Sequence, residues 1–439
     1  MTREDKDDED TGEPTDQMIA EDQASLLTME DRFYMTYILF YSLGTAMLVP
    51  ANFYTTATDY WMYKFRNTST DLTNGSFNTE NRTGMQAEFT SDYSIVSNVS
   101  NLAFLVLTIL IVRKVTIVKR TIGGLCGTVV MFAITCVFVQ INTDTWQRGF
   151  FVTTLAIGFF LTAFCSVFMV TLFQMVSKFP PGYLAAILNG QSICGILAAL
   201  LQIFSLSIGA SSKTNGLVYF ALGMFFIFMT LVGFLMTLAR SEYFQHYLNK
   251  EVQIERPKVT KKMVFSIFNK IKYYIISMVI VLGCSIMIHP GVTSLVISTH
   301  KGNGNKWNDV FFVPVVTFLF YHVSDYFGRE LARIIKKPGN GLVIFILSVI
   351  RIAFVPMLML CNAQPRSHLP VAFDEDYVYI IFIIVFAFTN GYLMNLCVIY
   401  VPVVTTEEEK MIATVCILVF MVVSLGACSF ISAALVKAL

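Results

Sequence analysis

Asp325 and Arg329 stand four residues apart at the end of one long apolar run, and Arg351 stands alone in the middle of the next. On a helix the first two share a face one turn apart and can pair locally. An ionised carboxylate accepts hydrogen bonds and a guanidinium donates them, so the pair can bind or gate a polar solute. A charge in hydrocarbon costs roughly 2.5–3.5 kcal/mol on insertion scales unless it is paired or wetted. Asp325 therefore reads as a pathway or gating residue, with a purely structural ion pair as the alternative; Arg329 could instead snorkel to the cytosolic surface. Arg351 needs a carboxylate, carbonyls or water, and Asp325 is the expected partner. For Arg351 a pathway role and a structural role stay equally open. No Gly-x-x-x-x-Gly-Lys-Ser/Thr loop, nucleophilic triad or metal-ligand spacing accompanies these residues, so neither an enzyme nor a cofactor is expected.

The elements that must position these charges are apolar runs of bilayer length. Of the 439 residues 55% are hydrophobic and only 14% charged, too few charges to cover a soluble globule of this size. Eleven runs lie near Tyr34–Thr56, Ile95–Val112, Thr121–Gln140, Phe150–Gln174, Tyr183–Ser207, Leu217–Ala239, Tyr273–Leu295, Val310–Phe327, Gly341–Leu360, Tyr377–Ile399 and Met411–Val436. Each approximates the roughly 20 residues a spanning helix needs, and none shows the alternation of a barrel strand. The expected fold is all-α: a polytopic membrane protein with eleven transmembrane helices. The first run is read as a retained helix, not a signal peptide.

Basic residues set the expected orientation. Arg113, Lys114, Lys119 and Arg120, then Lys178, the linker 240–272, and Arg329, Arg333, Lys336 and Lys337 fall on one side. That pattern places the N-terminus in the cytosol and, with an odd number of crossings, the C-terminus on the non-cytosolic side. The expected division is an acidic tail at 1–32, a six-helix bundle at 33–239 with an outer loop at 57–94, the basic linker at 240–272, and a five-helix bundle at 273–439. Asn67, Asn74 and Asn81 each begin an Asn-x-Ser/Thr acceptor in that outer loop, which predicts glycosylation there. Ser97, Asn98, Ser100 and Asn101 form a polar patch suited to bonding across helices. The nine cysteines read mostly as small packing residues.

The first 32 residues hold twelve Asp or Glu against three Lys or Arg, a composition that predicts a disordered tail. Within it, Asp22, Leu26 and Leu27 have the acidic-x-x-x-Leu-Leu spacing of a sorting signal read by an adaptor; an incidental apolar pair is the alternative. Pro50, Pro290, Pro314 and Pro356 break apolar runs and can present backbone polarity to a cavity, which favours a transport bundle over a receptor or channel. A six-plus-five division around a long inner linker suits two bundles rocking about a central pathway.

Several segments carry a resemblance. Phe179-Pro-Pro-Gly-Tyr183 with Asn189-Gly-Gln-Ser192 and Gly195, Tyr321-His-Val-Ser-Asp325-Tyr-Phe-Gly-Arg329, Arg351–Pro356, Leu360-Cys-Asn-Ala-Gln-Pro-Arg366 with Leu369-Pro370, and Thr389-Asn-Gly-Tyr-Leu393 with Tyr400-Val-Pro402 look like motifs of the equilibrative nucleoside transporter family. The resemblance runs from about Asp31 to the C-terminus. It implies an eleven-helix fold like an incomplete major-facilitator bundle, and facilitated passage of nucleosides, sometimes nucleobases, by alternating access. Asp325 and Arg329 match the family's helix-eight pair, which implies contact with the ribose side of the substrate. Asn52 matches the polar residue after the helix-one proline, and Gln191 and Asn390 match polar members of family motifs.

Departures fall on the base side. Ala51 stands where the family often has Trp, Met169 where it commonly has a base-reading Gln, and bulkier Val170–Phe173 replaces a glycine-rich stretch. Gln174, one turn from Met169, is a candidate substitute. The expected partners are a nucleoside or nucleobase and the lipid bilayer, with a sorting adaptor where the tail signal is used. No nucleic acid is expected, and the protein should function as a monomer. Proton-coupled nucleoside transport and organic-cation transport, the latter drawn by Glu375 and Asp376, are the alternatives. The plasma membrane is the expected location, with endosomal or lysosomal membrane as the alternative.

Overall fold

The computed structural model describes residues 31–68, 82–111, 114–208, 211–249 and 261–439. The sorting residues Asp22, Leu26 and Leu27 and the acceptors Asn74 and Asn81 lie outside the described residues. All regular structure among the described residues is helical. The helices are α1 (Met35–Thr56), α2 (Thr58–Lys64), α3 (Gly84–Ile111), α4 (Ile117–Gln140), α5 (Gln147–Val176), α6 (Pro181–Ser207), α7 (Ser212–Arg240), α8 (Glu242–Asn249) and α9 (Lys261–Ile288). They continue with α10 (Tyr321–Ile335), α11 (Gly341–Ile350), α12 (Phe354–Met359), α13 (Asp376–Val404) and α14 (Glu407–Ala438).

Among the described residues nine helices are long and apolar enough to cross a membrane. Two others have comparable length and more charge. One is α3, 28 residues long with Glu88 and Asp92 in its first half. The other joins α10 to the wide π-helical segments Trp307–Phe311 and Val313–Phe320 ahead of it. Pro314 near the start of the second segment has no N–H to donate, consistent with a departure from the i→i−4 ladder there.

Boundaries differ from the apolar runs where polar residues sit on helices. α3 begins at Gly84, not near Ile95, because a helix needs no hydrocarbon to continue once Thr83 caps it: the Gln86 side chain accepts from Thr83 N at 2.8 Å, and Gln86 N donates back to Thr83 Oγ1 at 3.2 Å. The segment 57–94, expected as an outer loop, is thus largely helical over its described part. α9 stops at Ile288, before Pro290, which cannot continue the ladder. The run after Gly341 changes to a 3-10 turn at Arg351–Ala353, ahead of Pro356. Within 240–272 the chain forms α8 and the first turns of α9.

Two helix seams are built on glycine. At the α1/α6 seam a Cβ on Gly44 would fall 2.3 Å from the Ile187 carbonyl oxygen, and one on Gly190 2.1 Å from that of Tyr41. The α10/α13 seam repeats the device, with Gly328 against the Phe388 carbonyl at 2.2 Å and Gly391 against the Asp325 carbonyl at 2.0 Å. Small residues let membrane helices approach to backbone contact, where dispersion and interhelical hydrogen bonds replace the hydrophobic drive that lipid cannot supply. One large apolar cluster joins α1–α8, with Phe53 stacked on Tyr219 at 4.4 Å; two further clusters are formed almost wholly from residues beyond 260. The two groups of helices meet where α6 runs beside the π-helical segment and α10, and where α3 packs on α14.

Candidate functional site

Asp325 projects from α10 beside the glycine seam with α13 and is only 8% exposed. Its Oδ2 accepts from Arg329 Nε at 2.7 Å, and its Oδ1 accepts from Asn390 Nδ2 at 2.7 Å. The seam brings the second contact about, since Asn390 precedes Gly391, whose backbone lies against that of Asp325. Arg329 uses its Nε here, and among the described residues its terminal nitrogens have no protein acceptor. Its backbone carbonyl is held by Asn395 Nδ2 at 2.8 Å. A carboxylate offers about four lone-pair sites and a guanidinium five N–H donors, so the pair keeps unused acceptors and donors side by side.

Arg351 is not paired with Asp325, contrary to expectation. It is 2% exposed, and every nitrogen is committed to another group: Nε donates to Thr389 Oγ1 at 3.2 Å, Nη1 to the Val281 carbonyl at 2.9 Å, and Nη2 to Ser285 Oγ at 3.0 Å and the Phe386 carbonyl at 2.9 Å. The Phe386 ring lies 4.1 Å from the guanidinium carbon. Two backbone carbonyls and an aromatic face, none of them readable as charge in a sequence, do the work assigned to a carboxylate. Ser285, which the sequence did not single out, also donates to Asn390 Oδ1 at 2.6 Å.

Two histidines border this region. His289 stacks on Tyr321 with ring centroids 3.7 Å apart, and its Nδ1 lies 2.9 Å from Thr293 Oγ1. His322 fills the space beside Gly195, where a Cβ would meet its Nδ1 at 2.1 Å, so the imidazole sits at the contact of α6 with α10.

The remaining sequence candidates lie in the other helix group. Asn52 donates through Nδ2 to the Leu48 carbonyl at 3.0 Å and to Cys194 Sγ at 3.6 Å; Gln191 donates through Nε2 to Met47 Sδ at 3.6 Å. Sulfur is a weak acceptor, which leaves both amides loosely engaged. Met169 packs against the apolar cluster of that group. Gln174 accepts from Arg120 Nη2 at 2.6 Å, and Arg120 also donates to Thr171 Oγ1 at 3.2 Å and the Val115 carbonyl at 3.1 Å. Arg120 is thus a buried partner within α4, not a loop charge. The polar patch of α3 bonds across to α5: Ser100 Oγ donates to the Phe159 carbonyl at 2.7 Å, and Asn101 Oδ1 accepts from Ser166 Oγ at 2.8 Å.

Outside the spans, residues from both groups form a second charged region. Arg82 Nη1 donates to the Gln364 carbonyl at 2.7 Å, and burial lowers the Arg82 guanidinium to about 10. Burial first, then repulsion from Arg82, pulls the Lys301 ammonium down to about 8; Asp309 and Asp59 oppose that shift. Burial raises the Asp59 carboxyl.

Residues 156–262 and 253–437 match the family described as Nucleoside transporter. The chain belongs to the equilibrative nucleoside transporter family. Equilibrative nucleoside transporter 3 of Rattus norvegicus is 29% identical over 420 residues, covering 90% of this chain and 87% of the relative. Equilibrative nucleoside transporter 2 of Homo sapiens is 27% identical over 443 residues, with 90% and 95% covered, and equilibrative nucleoside transporter 1 of Homo sapiens is 26% identical over 417, with 85% and 90%. Asp325, Arg329, Arg351 and Asn390 all fall within the matched segment 253–437.

Proposed function

We propose that this chain carries nucleosides, and nucleobases as a second class, down their gradients by alternating access. The observation that carries the reading is the Asp325–Arg329 pair, a buried carboxylate and a half-buried guanidinium in a family-matched segment that keep unused acceptors and donors. Ribose offers vicinal hydroxyls that can donate to the carboxylate and accept from the guanidinium in the same plane. Asn52 and Gln191 are assigned to the base, because their amides have only weak or backbone partners to give up. Gln174, engaged by Arg120, is left out of that role. Adding α3 and the 307–335 helix to the nine apolar spans gives eleven crossings, with a cytosolic N-terminus, bundles at 33–239 and 273–439 in a major-facilitator-like arrangement, and Asn67, Asn74 and Asn81 as glycosylation acceptors on the non-cytosolic side.

The test is uptake by purified protein in liposomes. Flux of uridine or adenosine should saturate, follow the gradient and need no ATP; ligand binding without saturable flux would point to a receptor, and uptake of a monoamine alone would overturn the nucleoside assignment. The two histidines around Tyr321 favour one further arm: an imposed pH gradient that concentrates substrate would establish proton coupling. Residence at the plasma membrane is proposed, with endolysosomal membrane as the alternative; replacing Leu26 and Leu27 by Ala should move an intracellular pool to the surface if an adaptor reads the tail.

A further inference from the structure

We propose that Ser285 and Arg351 are positioning residues that fix the carboxylate of Asp325 through Asn390. The proposal rests on the assignment of Asp325 to the ribose. Five groups from α9, the Arg351–Ala353 turn, α13 and α10 form one hydrogen-bonded line: Arg351 Nη2 to Ser285 Oγ at 3.0 Å, Ser285 Oγ to Asn390 Oδ1 at 2.6 Å, Asn390 Nδ2 to Asp325 Oδ1 at 2.7 Å, and Arg329 Nε to Asp325 Oδ2 at 2.7 Å.

Chemistry permits one direction through this line. Arginine can only donate and an ionised carboxylate can only accept. Asn390 must therefore turn its NH2 toward Asp325, which leaves its carbonyl for Ser285. Ser285 then accepts from Arg351 and donates to Asn390. Its Oγ also lies 2.9 Å from the Val281 carbonyl oxygen, but the Asn390 contact is the shorter of the two, and accepting from a cation strengthens the hydroxyl as a donor. Each group has only one orientation that satisfies both neighbours.

Arg351 cannot act by touching substrate, because it is 2% exposed and its nitrogens are all engaged inside the protein. Its reach toward the site runs through Ser285. Ser285 and Asn390 are both buried, so no bulk water replaces a missing link without entering the helix contact. Removing the Ser285 hydroxyl leaves Asn390 Oδ1 without its donor and frees the amide to turn away. Asp325 would then be held by Arg329 alone, on one oxygen, and its remaining lone pairs would no longer point in a fixed direction. Recognition of ribose hydroxyls should weaken, while contacts to the base should not change.

The experiment compares uridine with 2′,3′-dideoxyuridine, which lacks the hydroxyls that Asp325 would accept from. Inhibition constants of both compounds against labelled uridine uptake are measured on full-length protein in liposomes, so that delivery and expression drop out. Ser285→Ala should weaken uridine about tenfold and dideoxyuridine less than about twofold. Ser285→Thr, which restores the hydroxyl, should recover most of the difference. A lower maximal rate of labelled uridine uptake with both constants unchanged is what a merely structural serine would give, and it overturns the proposal, as does an equal weakening of both compounds that leaves the ratio of the two constants unchanged. Should Ser285→Ala fail to fold, Ser285→Cys, with similar shape and a weaker donor, carries the same comparison: an intermediate loss of discrimination supports the relay and unchanged discrimination overturns it. Asp325→Asn separates the two layers of the argument. If it collapses the ratio and the Ser285 variants do not, the relay alone is wrong; if it leaves the ratio intact, the ribose assignment is wrong and the relay falls with it.

Discussion

The seam of α1 with α6 and the seam of α10 with α13 use the same packing device and opposite electrostatics. Both bring helices to backbone distance over a pair of glycines. At the first, the polar contacts are neutral: Thr45 Oγ1 to the Gly190 carbonyl at 3.0 Å, the Asn52 amide to the Leu48 carbonyl at 3.0 Å, and weaker contacts of the Asn52 and Gln191 amides to sulfur at 3.6 Å. At the second, a carboxylate and a guanidinium are tied together and to Asn390 at 2.7 Å. Hydrogen bonds to charged groups are worth roughly 1.5–3 kcal/mol net and neutral ones about 0.5–1.5 kcal/mol. Close packing therefore does not specify which seam recognises substrate. What differs is whether the polar groups beside the glycines can exchange partners cheaply or only at the cost of a charged bond.

The largest expected effect comes from filling a seam. Gly391→Ala would set a Cβ 2.0 Å from a backbone oxygen that cannot move aside, and Gly190→Ala one at 2.1 Å; both should strongly reduce folded protein, measured as monodisperse material after detergent extraction. Equal losses would support the shared packing device, and full tolerance at either seam would break it. Next is Asp325→Asn, which should cut uptake tenfold or more per delivered transporter, on the scale of one charged hydrogen bond of roughly 1.5–3 kcal/mol. Normal uptake after correction for surface amount would remove the charged seam from the mechanism.

Smaller changes should follow at the neutral seam. Asn52→Ala and Gln191→Ala are expected to raise KM about two- to fivefold and to alter the ranking of adenosine and uridine, with folded yield retained, as loss of a neutral hydrogen bond would produce. A loss matching that of Asp325→Asn would erase the contrast between the seams. The smallest effect belongs to the outer charged region. Lys301 titrates near 8 when folded, below its ordinary 10.5, so the unfolded chain binds more protons between those values, and stability from this group rises as pH climbs from about 8 to 10.5. Thermal unfolding in detergent should show that rise, and Lys301→Met should flatten it; an equal slope in the variant would assign the trend elsewhere.

Much of the architecture was legible because hydropathy of bilayer length is a strong signal, and the segments around Asp325, Arg329 and Asn390 carried the family resemblance. Other features had no sequence signature. α3 starts eleven residues ahead of its apolar run, at Gly84 and not Ile95, since Glu88 and Asp92 dilute the hydropathy of its first turns while leaving the helical hydrogen bonds intact. Arg351 was visible as a buried charge, but its partners are carbonyls, which every residue possesses. Ser285 is one serine in an apolar run, and only the packing of α9 against α13 and the Arg351–Ala353 turn brings Asn390 and Arg351 to it. Gln174 is engaged because α4 begins at Ile117 and carries Arg120, one of the basic residues at the end of an apolar run, inward to its side chain.

Backbone contact at each seam also has a mechanical meaning. Two helices with no side-chain layer between them have little room to slide or twist against one another, since packed interiors switch between discrete fits and do not stretch. α1 with α6, and α10 with α13, should therefore travel as welded pairs. Gly195 and His322 offer a different kind of contact, a flat ring resting on bare backbone between α6 and α10. On the proposed alternating access that contact would serve as a bearing, together with the packing of α3 on α14 where the two groups also meet, and spectroscopic distances across it should change while those across either weld stay constant.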